Sequence, residues 1–105
     1  MSLRHIVLFR VREGVGEGRI SAAIQALEAL EGIPGIIEWT VCRSQDQRKG
    51  AVIVQNSLFE SQEALADFAV HPLHNASTDL LRTMADWWIG DYVEGGVLDP
   101  GWNNV

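Results

Sequence analysis

The chain has 105 residues, a formal net charge of −6, one cysteine and a composition that is 47% hydrophobic, with four Trp. That length holds one domain and buries only roughly two thirds of its unfolded surface, so association with a further chain is a natural supplement to the core. The acidic balance, without any basic run, excludes recognition of a nucleic-acid backbone, and a lone Cys42 excludes an internal disulfide framework.

Arg4 to Arg12 (RHIVLFRVR) is rich in β-branched and aromatic residues and reads as the first strand. Alternation puts His5, Val7, Phe9 and Val11 on one face and Arg4, Ile6, Leu8 and Arg10 on the other. Both faces are apolar at mid-strand. Helices on one side of a sheet can cover only one of them, so the second face needs a partner. Gly14, Gly16 and Gly18 predict a flexible turn before a helix from about Arg19 to Glu31, where Ile20, Ala23, Ile24, Leu27 and Leu30 recur at helical spacing. Gly32 ends that helix, and Ile33-Pro34-Gly35 makes a tight turn. The second strand is Ile36 to Arg43, with Ile37, Trp39 and Val41 on one face, and the polar stretch Ser44 to Gly50 is a hairpin loop.

The third strand runs from Ala51 to Phe59. Ser61 is a candidate N-cap for a helix from Gln62 to Val70, whose apolar side is Leu65, Phe68 and Ala69. Pro72 disfavours helical geometry at His71 and suits the first turn of a new helix reaching about Ala85. The fourth strand is Trp87 to Val93. Residues 1–94 are expected to form the domain and 95–105 a mobile C-terminal tail. The resulting order, β-α-β-β-α(α)-β, is the split βαβ arrangement of a ferredoxin-like α+β protomer with a four-stranded antiparallel sheet. The N-terminus lacks the charged segment and long apolar run of a signal peptide, and no stretch is long and apolar enough to span a bilayer. A soluble, cytoplasmic protein is expected.

His5 projects beside Val7 and Phe9 under the helices. In an apolar pocket such a histidine can abstract a proton alpha to a carbonyl; the bland alternative is a structural histidine bonded to the backbone. His74 shares a helix side with Ser77, Thr78 and Leu81, at three, four and seven residues, and is either a base or a packing residue. His71 caps that helix or faces water. Together His71 and His74 lack a third ligand, and no metal is expected. Trp39, Trp87, Trp88 and Ile89 read as core or dimer-seam groups. Cys42 reads as a small hydrophobe and Arg82 as a solvated or carboxylate-paired residue. The Gly14-x-Gly16-x-Gly18 spacing lacks a strand–turn–phosphate context and is a loop.

Taken together, Arg-His-Ile-Val-Leu-Phe at 4–9, Ile-Pro-Gly at 33–35, Phe-Glu-Ser at 59–61 with Glu63-Ala64-Leu65, His-Pro-Leu-His at 71–74 and Asp91-Tyr92 resemble the stress-responsive A/B barrel (Dabb) domains. The resemblance implies a homodimer that packs sheet to sheet into an α+β barrel. It also implies a cavity between sheet and helices, walled by Phe9, Phe68, Leu81, Trp87 and Ile89. One member, a plant polyketide cyclase that makes olivetolic acid, closes a ring by aldol chemistry without metal or organic cofactor. Its two histidines and one tyrosine fall by motif on His5, His74 and Phe68. Phe68 keeps the ring but lacks the hydroxyl, so that tyrosine's share of the mechanism has no counterpart here.

Three functions follow from the resemblance and the residues together. The first is binding of an apolar or aromatic metabolite. The second is cofactor-independent cyclase or monooxygenase-like catalysis, with His74 as base and His5 polarising or orienting the substrate. The third is a structural stress-response dimer with a side-chain-filled interior.

Overall fold

In the computed structural model, which describes residues 1–95, the first strand β1 (Leu3–Val11) lies inside a four-stranded sheet and everything else is arranged around it. The chain continues through α1 (Glu17–Glu28), β2 (Ile36–Arg43), β3 (Val52–Phe59), α2 (Gln62–Ala69), α3 (Pro72–Arg82) and β4 (Ala85–Val93). The sheet order is β2-β3-β1-β4 with every neighbouring pair antiparallel, which is the ferredoxin-like topology expected. Residues 96–105, most of the expected tail, lie outside the described part. Among the described residues no helix is long and apolar enough to cross a membrane.

The alternation in β1 sorts the sheet into two unlike faces. His5, Val7, Phe9 and Val11 are buried beneath the helices, with Ile53 and Phe59 of β3 and Ala85 of β4. Ile20, Ala23 and Leu27 of α1, Phe68 of α2 and Leu81 of α3 close the core from above. On the opposite face, no helix among the described residues covers Ile6, Leu8, Val54, Trp88 and Tyr92. Trp88 is 61% exposed and Tyr92 52%. Arg4 stands at one end of this face and binds Glu94, Glu38 and Asn56. Such a contiguous apolar face on a small chain is the kind of surface that marks an interaction site.

Several boundaries differ from expectation. α1 starts at Glu17 rather than Arg19, because Gly16 takes the extended N-cap conformation and Gly18 sits in the exposed first turn, where its missing side chain costs little. The same helix ends at Glu28, and Leu30 and Ile33 stay buried in the tight turns that follow. α3 stops at Arg82, and β4 begins at Ala85, two residues earlier than Trp87. Ile37 does not join Trp39 and Val41 on the helix side. The pairing jumps from Ile36↔Phe59 to Glu38↔Leu58, so Ile37 is the extra residue of a β-bulge and is exposed.

The α2–α3 corner hangs on two points. Ser61 caps α2 by accepting from the Ala64 N–H at 3.1 Å. Gly35, at φ +94°, accepts from the Glu60 N–H and lets the turn before β2 press against α2; a Cβ there would lie 2.7 Å from the Cβ of Ala64. Gly14 also has positive φ, at +85°, but open space around it. Gly14→Ala is therefore expected to cost about 1 kcal/mol from backbone strain alone. Gly35→Ala should cost roughly 3 kcal/mol, because the collision with α2 adds to the strain. Urea unfolding of both variants measures this. Equal losses would mean that the Gly35–Ala64 approach does not hold the corner.

Candidate functional site

His5 is the third residue of β1, and the antiparallel pairings place it directly between Ser57 on β3 and Asp91 on β4. Residues so paired share a face with their Cβ atoms about 5 Å apart. The Asp91 carboxylate accordingly meets the imidazole, Nδ1 to Oδ1 at 2.6 Å. An ionised carboxylate only accepts, so Nδ1 carries the proton and Nε2 is the nitrogen left for a further partner. Below the ring, the Ser57 hydroxyl donates to the His5 carbonyl at 2.8 Å and pins the strand. Phe59 and Phe68 meet the imidazole edge-on, with centroids at 5.9 and 6.4 Å.

His74 reaches the same space from the helices. Pro72 occupies the first turn of α3 and His71 caps it, its Nδ1 accepting from the Leu73 N–H at 3.1 Å. One turn on, His74 donates from Nδ1 to the carbonyl of Ala69, the last residue of α2, at 3.1 Å. Because a carbonyl cannot donate, this bond sets the tautomer and leaves Nε2 with a lone pair. The Thr78 hydroxyl lies 3.5 Å from that nitrogen. Burial holds the His74 pKa below the ordinary histidine value, and the proximity of His5 acts the same way against the Ala69 bond. His74 is thus neutral at pH 7, with a free basic nitrogen. The Phe68 ring lies against it, 4.6 Å between centroids, and separates the two histidines.

Between sheet and helices lies a cavity of about 260 Å³. His5, Val7, Phe9, Gln55, Trp87, Ile89 and Asp91 form its sheet side, and Leu27, Leu65, Phe68, Ala69, His74, Ser77, Thr78 and Leu81 its helix side. The two candidate histidines and all five candidate wall residues, Phe9, Phe68, Leu81, Trp87 and Ile89, therefore surround one space. Its volume lies near the lower end of small-molecule sites and its lining is mostly apolar with a few convergent polar groups. Ile89 and Asp91 are lining residues that also face solvent, which puts the mouth at the edge strand β4.

Two members of the site were not foreseen. Asp91 stood out only as part of Asp91-Tyr92 at the end of β4; its partnership with His5 depends on the β1–β4 register. Gln55 gave no signal at all. Among the described residues, no group of three or more His, Cys, Asp and Glu side chains could hold a metal ion. Trp39 and Trp87 lie on the helix side, with the Trp39 indole donating to the Leu27 carbonyl at 3.1 Å, whereas Trp88 is on the open face. Cys42 is exposed there as well, opposite Val54. Arg82 pairs with Asp79 at 2.9 Å.

The profile of the stress-responsive A/B barrel domain matches residues 3–94. An uncharacterised protein of Streptomyces coelicolor is 36% identical over 94 residues, covering 86% of this chain and 97% of its own. Among solved structures, a dimeric ferredoxin-like protein of unknown function from Bacteroides fragilis is similar at a TM-score of 0.76 and 26% identity, over 87% of this chain and 94% of its own. SnoaB, a cofactor-independent oxygenase from Streptomyces nogalater, has the same fold at a TM-score of 0.74 and 15% identity, over 92% of this chain and 96% of its own.

Proposed function

The chain belongs to the stress-responsive A/B barrel family, and on that premise we propose that it is a homodimer that binds a small apolar or aromatic metabolite in the cavity between its sheet and helices. The observation that carries this is a single, mostly apolar cavity that touches both His5 and His74. A purely structural dimer would fill that space with side chains, and here it is open at the β4 edge. The uncovered face with Leu8, Trp88 and Tyr92 supports a second copy as the sheet's partner, as does the dimeric relative from Bacteroides fragilis. One reduced thiol, Cys42, suits a cytoplasmic location. Ligand binding of this kind needs no metal or organic cofactor.

Native mass spectrometry on gently purified protein tests both parts. The expected spectrum is a dimer carrying a reproducible organic mass. A monomer at micromolar concentration contradicts the pairing of sheets, and a dimer that takes up nothing from an extract of aromatic metabolites contradicts the binding site.

The His74 tautomer favours a second function, cofactor-independent proton transfer. In that role Nε2 of His74 removes a proton alpha to a bound carbonyl, and His5, its Nδ1 held by Asp91, orients the substrate through an Nε2 that accepts. SnoaB, of the same fold, is described as working without a cofactor. Phe68 offers no hydroxyl, so proton abstraction is the step these residues support, rather than a full ring closure. Deuterium exchange into the methyl group of a small aryl ketone in D₂O measures it. His74→Ala should slow the catalysed exchange by about 10²-fold or more while weakening ketone binding far less. Equal exchange in wild type and variant removes His74 from the chemistry.

A further inference from the structure

Gln55 is buried to 3% exposure in the middle of β3, on the helix-facing side of the sheet, opposite Val7 on β1 and Val41 on β2. Other buried polar side chains around the cavity are satisfied within the protein. His5 bonds Asp91, the Ser57 hydroxyl donates to the His5 carbonyl, and the Ser77 hydroxyl donates to the His74 carbonyl at 2.9 Å. Among the described residues nothing accepts from or donates to the Gln55 carboxamide, and the side chain lines the cavity. Its polar atoms open onto the cavity, where an occupant that displaces water must replace the hydrogen bonds water would make. Its two donors and one acceptor are directed at whatever occupies the cavity.

We propose that Gln55 selects the ligand, and that the ligand carries two oxygen functions at opposite ends of a small apolar body. This rests on the binding role proposed above and adds the ligand's class. His5 is paired with Ser57, so Gln55 is its diagonal neighbour on the adjacent strand, roughly 7–8 Å away. A single six-membered ring with an oxygen at each end spans a comparable length, and about 260 Å³ holds such a molecule and little more. One oxygen lies on the His5 and His74 side of the cavity, where the Thr78 hydroxyl can donate to it, and the other, a hydroxyl or carbonyl, lies on the Gln55 amide. A ligand lacking the second oxygen displaces water from the amide without replacing its hydrogen bonds, and so binds more weakly.

The test compares 4-hydroxyacetophenone with acetophenone on wild type and Gln55→Leu, by NMR chemical-shift titration, alongside thermal unfolding. Wild type is expected to prefer the hydroxylated ketone by about tenfold. Gln55→Leu should erase that preference and melt no lower than wild type, because the amide has no partner in the protein to lose. A structural glutamine would behave differently, with the variant melting lower by about 5 °C or more. That result, or a preference that survives the substitution, overturns the inference. If Leu cannot be accommodated, Gln55→Met, unbranched and of similar length, carries the same comparison. Neither ketone binding to wild type would contradict the cavity's binding role itself, and the inference with it.

Discussion

The register of β1 between β3 and β4 is the constraint on which the rest of the structure depends. It sets Ser57 and Asp91 on either side of His5 and aligns Val7 with Gln55 and Ile89, and Phe9 with Ile53 and Trp87. A slip of one residue would send this whole row to the opposite face and bring Ile6 and Leu8 under the helices in its place. The His5–Asp91 bond at 2.6 Å and the floor of the cavity are therefore consequences of strand pairing. The same register leaves the other face apolar and uncovered, so the cavity and the exposed face are two results of one arrangement.

The helical side has its own organising point at the α2–α3 corner. His71 and Pro72 end one helix and begin the next, which leaves the Ala69 carbonyl free for the Nδ1 of His74. Phe68, one residue earlier, reaches down to contact His5, Phe59, Trp39 and His74 at once. It packs against both imidazoles. Each histidine has one nitrogen committed to an acceptor in the protein and one left over. A site made this way presents its ring nitrogens at positions that the fold sets in advance, with most of the cavity wall contributing an apolar lining.

Much of this was legible in the sequence because it is local or periodic. The alternation in RHIVLFRVR placed His5 and Phe9 on the helix-facing side, and His-Pro-Leu-His announced the helix break, the His71 cap and the side of α3 that carries His74, Thr78 and Leu81. What was hidden depends on pairing between distant segments. Asp91 meets His5 only through the β1–β4 register, and Gln55 faces the cavity only because β3 lies beside β1 with that residue turned inward. Local signals also misled in two places. Gly16 and Gly18 suggested a longer turn, although Gly16 is a cap and Gly18 is tolerated in the first turn of α1. Ile37 continued a two-residue period that the bulge interrupts.

The central claim is that the two histidines are held in the same Nδ1–H tautomer by fixed acceptors, His5 by Asp91 and His74 by Ala69. Nitrogen-15 NMR of histidine-labelled protein across pH reads both rings directly. The structure predicts that His74 is a neutral Nδ1–H tautomer at pH 7 and titrates below an ordinary histidine, and that the neutral ring of His5 is likewise the Nδ1–H tautomer, a preference lost in Asp91→Ala. A His74 that is charged at pH 7, or an Nε2–H tautomer there, would contradict the account.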